Sequence, residues 1–240
     1  ARAQLRVAID DLLLPGEQLA IAGLEVRLGD GLLEADLGVD PEGEGQLRGA
    51  ASLPVDLRLD QPGASALRGP LSGRVEAAGL PLDLARPLVG RDLTKLRGAL
   101  AADLAIAGPA AAPEVRGTFA LTGGGGRLRA LKVDVEEVEV RGEIAPEALR
   151  LVAASARSGR GRLEVEGEVG LADLVPTVYD LRLQARRWPA IRTKRYEAQI
   201  GADLQLVGPN EEPELTGSVT VETAYLEPGL AFLDSSAGPS

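Results

Sequence analysis

The 240-residue chain is 45% hydrophobic but only 2% aromatic, has no cysteine and no histidine, and carries a net charge of −10. That composition excludes disulfide frameworks, Cys/His metal sites and His-based triads, implies no cofactor, and argues against nucleic acid as the main partner. Thirty glycines and sixteen prolines demand many turns. No apolar run approaches the ~18 residues of a membrane span, and the chain reads as an internal piece of a longer protein whose anchor or export signal lies outside it.

Period-two alternation begins at once, with Leu5, Val7 and Ile9, then Leu24, Val26 and Leu28. Such runs are strands with one dry and one wet face. Turn signals separate them at Pro15-Gly16-Glu17, at Gly29-Asp30-Gly31 and from Asp40 to Gly45. The last lacks the oxygen spacing of a calcium loop and reads as a solvated turn. The best helical candidate, Leu82 to Gly90, is cut to one turn by Pro87. Strand texture resumes with Ala102, Leu104 and Ile106.

The run Gly123–Gly126 is expected to be a loose hairpin turn. A phosphate loop needs a helix after it, and here alternation follows from Arg127. Leu131, Val133 and Val135 run in one phase, Val138 and Val140 in the other. The slip at Glu136-Glu137 predicts a bulge or tight turn. After a turn at Ser158–Gly161, Leu163, Val165, Val169 and Leu171 alternate with Arg162, Glu164, Glu166 and Glu168. Tyr179, Leu181 and Leu183 form a further strand, and Leu204 with Leu206 and Val219 with Val221 carry the pattern to the C-terminal end. Alternation this clean favours antiparallel pairing.

One segment departs from the pattern. Ala185 to Tyr196 gathers Arg186, Arg187, Trp188, Arg192, Lys194 and Arg195 inside an acidic chain. Trp188-Pro189 is expected to break the strand. The stretch reads as a charged loop or strand facing water, with contact to lipid headgroups or a protein partner as the sharper alternative. Adjacent acids at Asp10-Asp11, Glu136-Glu137 and Glu211-Glu212 point to opposite faces of a strand, a poor geometry for acid–base work on one bond. With no nucleophile–base pair, the chain does not read as an enzyme.

A phrase occurs twice. "ADLAIAGPAAAPEVRG" from Ala102 to Gly117 returns as "ADLQLVGPNEEPELTG" from Ala202 to Gly217. Each reads as a strand, a proline-bounded reversal and a return strand. The two hairpins should be equivalent, with their tips on the same long rim of one sheet. A fainter copy begins at Ala35-Asp36-Leu37 and ends at Leu47-Arg48-Gly49.

The order of these phrases resembles the TamB branch of the AsmA-like envelope proteins. The matching positions are Gly98, Leu104, Gly108, Pro113, Gly117, Ser158, Gly159, Gly161, Leu163, Gly167 and Leu171, and the resemblance runs from about Leu80 to Val221. It implies an elongated, mostly antiparallel all-β sheet curled into a U, a "β-taco", with a dry groove. It also implies a periplasmic location in a Gram-negative bacterium with an inner-membrane anchor, bridge-like lipid transfer, and an outer-membrane barrel partner of the Omp85 type.

The resulting expectation is a β-rich segment over 1–79, a TamB-like segment over 80–234 and a flexible end at 235–240. The groove would carry phospholipid acyl chains on Leu104, Ile106, Leu131, Val133, Val135, Leu163, Val165, Val169, Leu171, Leu181, Leu183, Leu204, Leu206, Val219 and Val221. Scarce aromatics leave such a groove unplugged. Two alternatives stay open: a scaffold that pairs with outer-membrane strands at its sheet edge, and a structural domain whose apolar faces close on each other.

Overall fold

A computed structural model describes residues 3–14, 17–29, 31–40, 45–56, 66–67, 69–85, 93–129, 132–192 and 196–226. The strands are β1 (Ala3–Leu14), β2 (Glu17–Gly29), β3 (Leu32–Val39), β4 (Gln46–Asp56), β5 (Ala66–Leu67), β6 (Pro70–Pro81), β7 (Leu93–Pro109), β8 (Glu114–Leu128), β9 (Val133–Ala145), β10 (Ala148–Ser158), β11 (Gly161–Ala172), β12 (Val175–Arg192), β13 (Tyr196–Pro209) and β14 (Glu214–Leu226). Among the described residues the only helical piece is a 3-10 turn at Leu82–Ala85. It begins the expected turn, whose remainder to Gly90 lies outside the described residues.

All fourteen strands join one sheet, in chain order except that the short β5 pairs on β4 beside the main path. Every described pairing is antiparallel, and none joins β1 to β14. The expected all-β, antiparallel class is therefore what the chain adopts, as an open sheet and not a barrel. Strand direction alternates, so the connections at 110–113, 146–147, 173–174 and 210–213 share one long rim, and those at 129–132 and 159–160 share the other. Hydrogen bonds tie neighbouring strand ends along the first rim, from Leu171 N–H to the Glu147 carbonyl (2.7 Å) and from Asn210 N–H to the Thr177 carbonyl (2.8 Å).

The sheet curls towards its apolar face. Residues of one type make the comparison clean: Ala101, Ala105 and Ala107 on the charged face are exposed, whereas Ala77, Ala156 and Ala185 on the apolar face are buried. β9 and β12 come into contact although two strands lie between them. In a flat sheet they would be about 14 Å apart, at ~4.8 Å per strand.

Bulges set this curl. Glu137 sits at a φ of 48° and Arg187 at 48°, each where the register shifts. Of the bulge or tight turn that the phase slip at Glu136-Glu137 implied, the chain forms the bulge. It lets Val135 and Val138 both face inwards, and the second does the same for Ala185 and Trp188. An inserted residue bends a strand and increases its twist.

Two expectations need correction. Gly123–Gly126 is not a hairpin turn; it lies inside β8, with register shifts on both sides of Gly124. Gly124, Gly125 and Gly126 are buried, and the space a Cβ would need is taken by Val138 at Gly124 and by the Arg97 guanidinium at Gly125. The glycines serve close approach, and the reversal comes later, between β8 and β9. Nor does Trp188-Pro189 break a strand, since β12 runs on to Arg192. Pro189 sits beside a register shift, where a missing ladder N–H costs little.

The repeated phrase forms two equivalent hairpins, β7–β8 and β13–β14. Leu104 faces Gly117 and Leu204 faces Gly217. Ala112 N–H donates to the Pro109 carbonyl at 3.0 Å, and Glu212 N–H to the Pro209 carbonyl at 3.1 Å. Gly108 and Gly208 take φ values of 96° and 116°, a region where a side chain is strained. A Cβ at Gly117 or Gly217 would strike the carbonyl oxygen of Asp103 or Asp203. Both tips lie on the same rim, as expected. The faint third copy keeps the Leu–Gly pairing, Leu37 with Gly49, but its reversal, between β3 and β4, lies on the opposite rim.

Candidate functional site

The register stacks the alternating positions into rows that cross the sheet. One row runs Leu24, Leu37, Gly49, Val75, Leu104, Gly117, Ile144, Leu149 and Val169. The next runs Val39, Leu47, Ala77, Ala102, Phe119, Gly142, Leu151, Gly167, Leu181, Leu206 and Leu215. No polar side chain interrupts either row. Most of these side chains are half-buried, because the curl shields them while no second layer of described residues covers them. Among the described residues the buried apolar side chains are Ala77, Val115, Val133, Ala156, Ala185 and Trp188. One sheet with so few buried side chains is not the closed sandwich core that stood as an alternative.

The other face is charged. Cross-strand ion pairs join Arg74 to Asp103 (2.7 Å), Arg150 to Glu168 (3.0 Å) and Arg182 to Asp203 (3.1 Å), all well exposed. Exposed pairs of this kind contribute little to stability. They keep this face wet. A hydrogen bond to Glu25, and then the charge of Glu25, holds the Arg27 guanidinium above its ordinary pKa. A cleft of about 610 Å³ on this face, over Gly23, Gly38 and Ala50, is rimmed by Glu25, Asp36, Arg48, Arg74 and Glu76. It is a gap left by small residues between charges, and Leu24, Leu37 and Gly49 of the first apolar row also line it.

Of the groove residues expected from sequence, Leu104, Ile106, Val135, Leu163, Val165, Val169, Leu171, Leu181, Leu183, Leu204 and Leu206 are half-buried on the apolar face. Leu131 lies outside the described residues. Val133 is only 1% exposed, so it belongs to the packed end of the face and has no surface for a ligand. Val219 and Val221 stand 56% and 62% exposed on the edge strand. Phe119, Ile144, Leu149, Leu151 and Ile200 also line this face and were missed. Their alternation was legible, but only the register adds them to the rows.

The basic segment divides. Arg186 and Arg187 are exposed, whereas Trp188 is buried against Ala156 and Ala185 with Val135, Val138 and Ile200 around it. Its expected part in a headgroup contact is corrected, because the bulge at Arg186-Arg187 turns its side chain to the dry face. The Arg192 side chain, Lys194 and Arg195 lie outside what is described.

These features define a class: an open, curled, antiparallel sheet with one continuous apolar face and one charged face, and no described cluster of groups arranged for catalysis or for metal binding. Residues 152–229 match the family model of the TamB C-terminal domain. That stretch, about a third of the chain, resembles the C-terminal domain of TamB-type proteins. No curated protein and no solved structure matches the chain.

Proposed function

We propose that this chain is a stretch of a periplasmic bridge that carries phospholipid acyl chains between inner and outer membrane, held by an inner-membrane anchor outside it and working with an outer-membrane barrel of the Omp85 type. The observation behind this reading is the pair of apolar rows that stay in register across the sheet, shielded by curl and not covered by a second layer of described residues. Each buried methylene is worth about 0.8 kcal/mol, so a chain of about sixteen carbons gains roughly 10 kcal/mol. The attraction has no direction. An acyl chain therefore slides from Leu104 towards Leu181 and Leu206 without meeting a deep trap.

The test is photo-crosslinking in cells. A crosslinker at Val165, Leu163 or Leu104 should capture phospholipid, while one at Glu164 or Glu166 should capture little. Equal capture on both faces overturns the reading. The edge strand β14 keeps the scaffold alternative in view, because Leu215, Val221 and Tyr225 are each 62% exposed along it. Saturable binding of unfolded barrel strands by a purified chain free of lipid would favour that alternative.

A further inference from the structure

From β8 onwards the two long rims carry opposite charge. On the basic rim, the β8–β9 and β10–β11 connections hold Arg129, Lys132 and Arg160 and no acid. On the acidic rim, the β9–β10, β11–β12 and β13–β14 connections hold Glu147, Asp173, Glu211 and Glu212 and no base. Beside the acidic rim the charged face stops being charged. Its last row runs Ala145, Ala148, Gly170, Val178 and Pro209. Val175 stands on the same face opposite Ala172, and Val207 stands one row further in, opposite Asp180. Val175, Val178 and Val207 are all exposed. An exposed apolar patch ringed by polar groups marks a contact surface.

The β11–β12 reversal adds Leu174 to this patch under strain. Asp173 and Leu174 take φ values of 50° and 65° between the paired Ala172 and Val175. Asn-Gly fits such a two-residue turn without strain, and leucine does not. The Leu174 side chain is 45% exposed, so burial within the chain does not offset that strain. A backbone outlier of this kind points to a role outside the fold.

The repeated phrase supplies an internal control. The β7–β8 hairpin has Ala107, an all-alanine tip at 110–112, and Arg116 at 3.2 Å from Glu114. The same places in β13–β14 hold Val207, Asn210-Glu211-Glu212, and Thr216 beside Glu214. The second hairpin is thus more aliphatic and more acidic than the first, and it lacks the base. Asp173, Glu212 and Glu214 form no ion pair with any described residue.

We propose that this corner of the charged face docks a protein partner whose aliphatic side chains are flanked by lysine or arginine. The partner's apolar groups cover Leu174, Val175 and Val178, and its cations neutralise Asp173, Glu212 and Glu214. Complementary charge sets the choice of partner, and the same carboxylates repel anionic lipid headgroups. The surface lies on the face away from the apolar rows, so the assignment does not depend on the carrier reading.

The experiment titrates the whole chain with a short fluorescent peptide in which two leucines lie between lysine pairs. Two controls replace its lysines by glutamate or its leucines by serine. The first peptide should bind saturably, and each control about tenfold more weakly. V175T/V178T should weaken the first peptide about tenfold, and D173N/E212Q/E214Q should weaken it similarly and flatten its salt dependence. L174G should weaken it too, yet raise the urea midpoint because glycine takes this turn without strain; a merely structural leucine would not give that pair of results. Equal binding of the glutamate peptide, or unchanged binding by V175T/V178T, overturns the proposal. So does loss of binding in V219T/V221T instead, which would put the peptide on the β14 edge. A dimer that L174G dissolves would make the occupant a second copy, and phosphatidylglycerol vesicle binding that L174G abolishes would make it a membrane; either overturns the proposal. Lipid loading should be the same in every patch variant, so its absence from the unchanged protein counts against the carrier reading alone.

Discussion

The two ends of the strands β8 to β13 share one alternating texture and yet bury very different amounts. At the basic rim, Val133, Ala156, Ala185 and Trp188 are buried, and Ser158 is satisfied there by its hydroxyl donating to the Asp134 carbonyl at 2.6 Å. Towards the acidic rim Val115 is buried too, but Ile144, Leu149, Val169, Leu181 and Leu206 remain half-open. The difference is in the backbone. Bulges at Gly123, Glu137 and Arg187 crowd the first end, and the strands run more regularly at the second. One sheet can thus close on itself at one end, which holds it folded, and stay open along the rest, which leaves apolar surface for a ligand.

The sharpest way to break this comparison is to place the same charge at each end. Val133→Asp buries an unpaired carboxylate and should cost about 3–5 kcal/mol, enough to abolish the strand signal in far-ultraviolet circular dichroism. Val165→Asp, on the half-open part, should cost only about 1–2 kcal/mol because water still reaches it. Such a chain stays folded in urea titrations and loses lipid. If both variants unfold, the open groove is wrong.

Trp188→Ala should cost about 3–5 kcal/mol, against about 1–2 for Leu181→Ala, as read from thermal or urea unfolding. Trp188 is the only tryptophan, so the unchanged protein should also emit blue-shifted fluorescence that moves to the red as this end opens. Equal costs for the two variants would mean that the closed end is no more tightly packed than the groove.

Glycine substitutions sharpen the contrast at smaller scale. A Cβ on Gly161 would press on the Arg187 carbonyl oxygen at 2.5 Å and on the Trp188 Cα at 2.9 Å, whereas one on Gly38 would meet nothing within 4 Å. Gly161→Ala should therefore cost about 1–3 kcal/mol, and Gly38→Ala should lie within about 0.5 kcal/mol of the parent. Chemical denaturation of the two variants side by side decides it. Smallest of all, Arg182→Ala on the charged face should cost under about 1 kcal/mol, with the loss vanishing at high salt.

Much of this was legible in residue order. From Leu163 to Leu171, period two assigned each side chain to a face. The slip at Glu136-Glu137 marked a bulge or a tight turn, and the repeated phrase specified two matching hairpins. Gly123–Gly126 and Trp188-Pro189 misled for one reason. Glycine and proline signal a departure from regular backbone, and a turn and a bulge use the same residues. Which one forms depends on whether neighbouring strands press on the site, and here Arg97 and Val138 do.

By itself the sequence determined which residues share a face, because the pleat has period two and needs no partner to express it. It also settled that any groove would be aliphatic, since almost no aromatics are present. Only the tertiary structure decided that as many as eleven strands align those faces into one unbroken row, that Trp188 turns inwards beside exposed arginines, and that basic and acidic connections sort onto opposite rims. Register, curl and rim membership depend on which strand lies beside which, and on the direction in which each one runs.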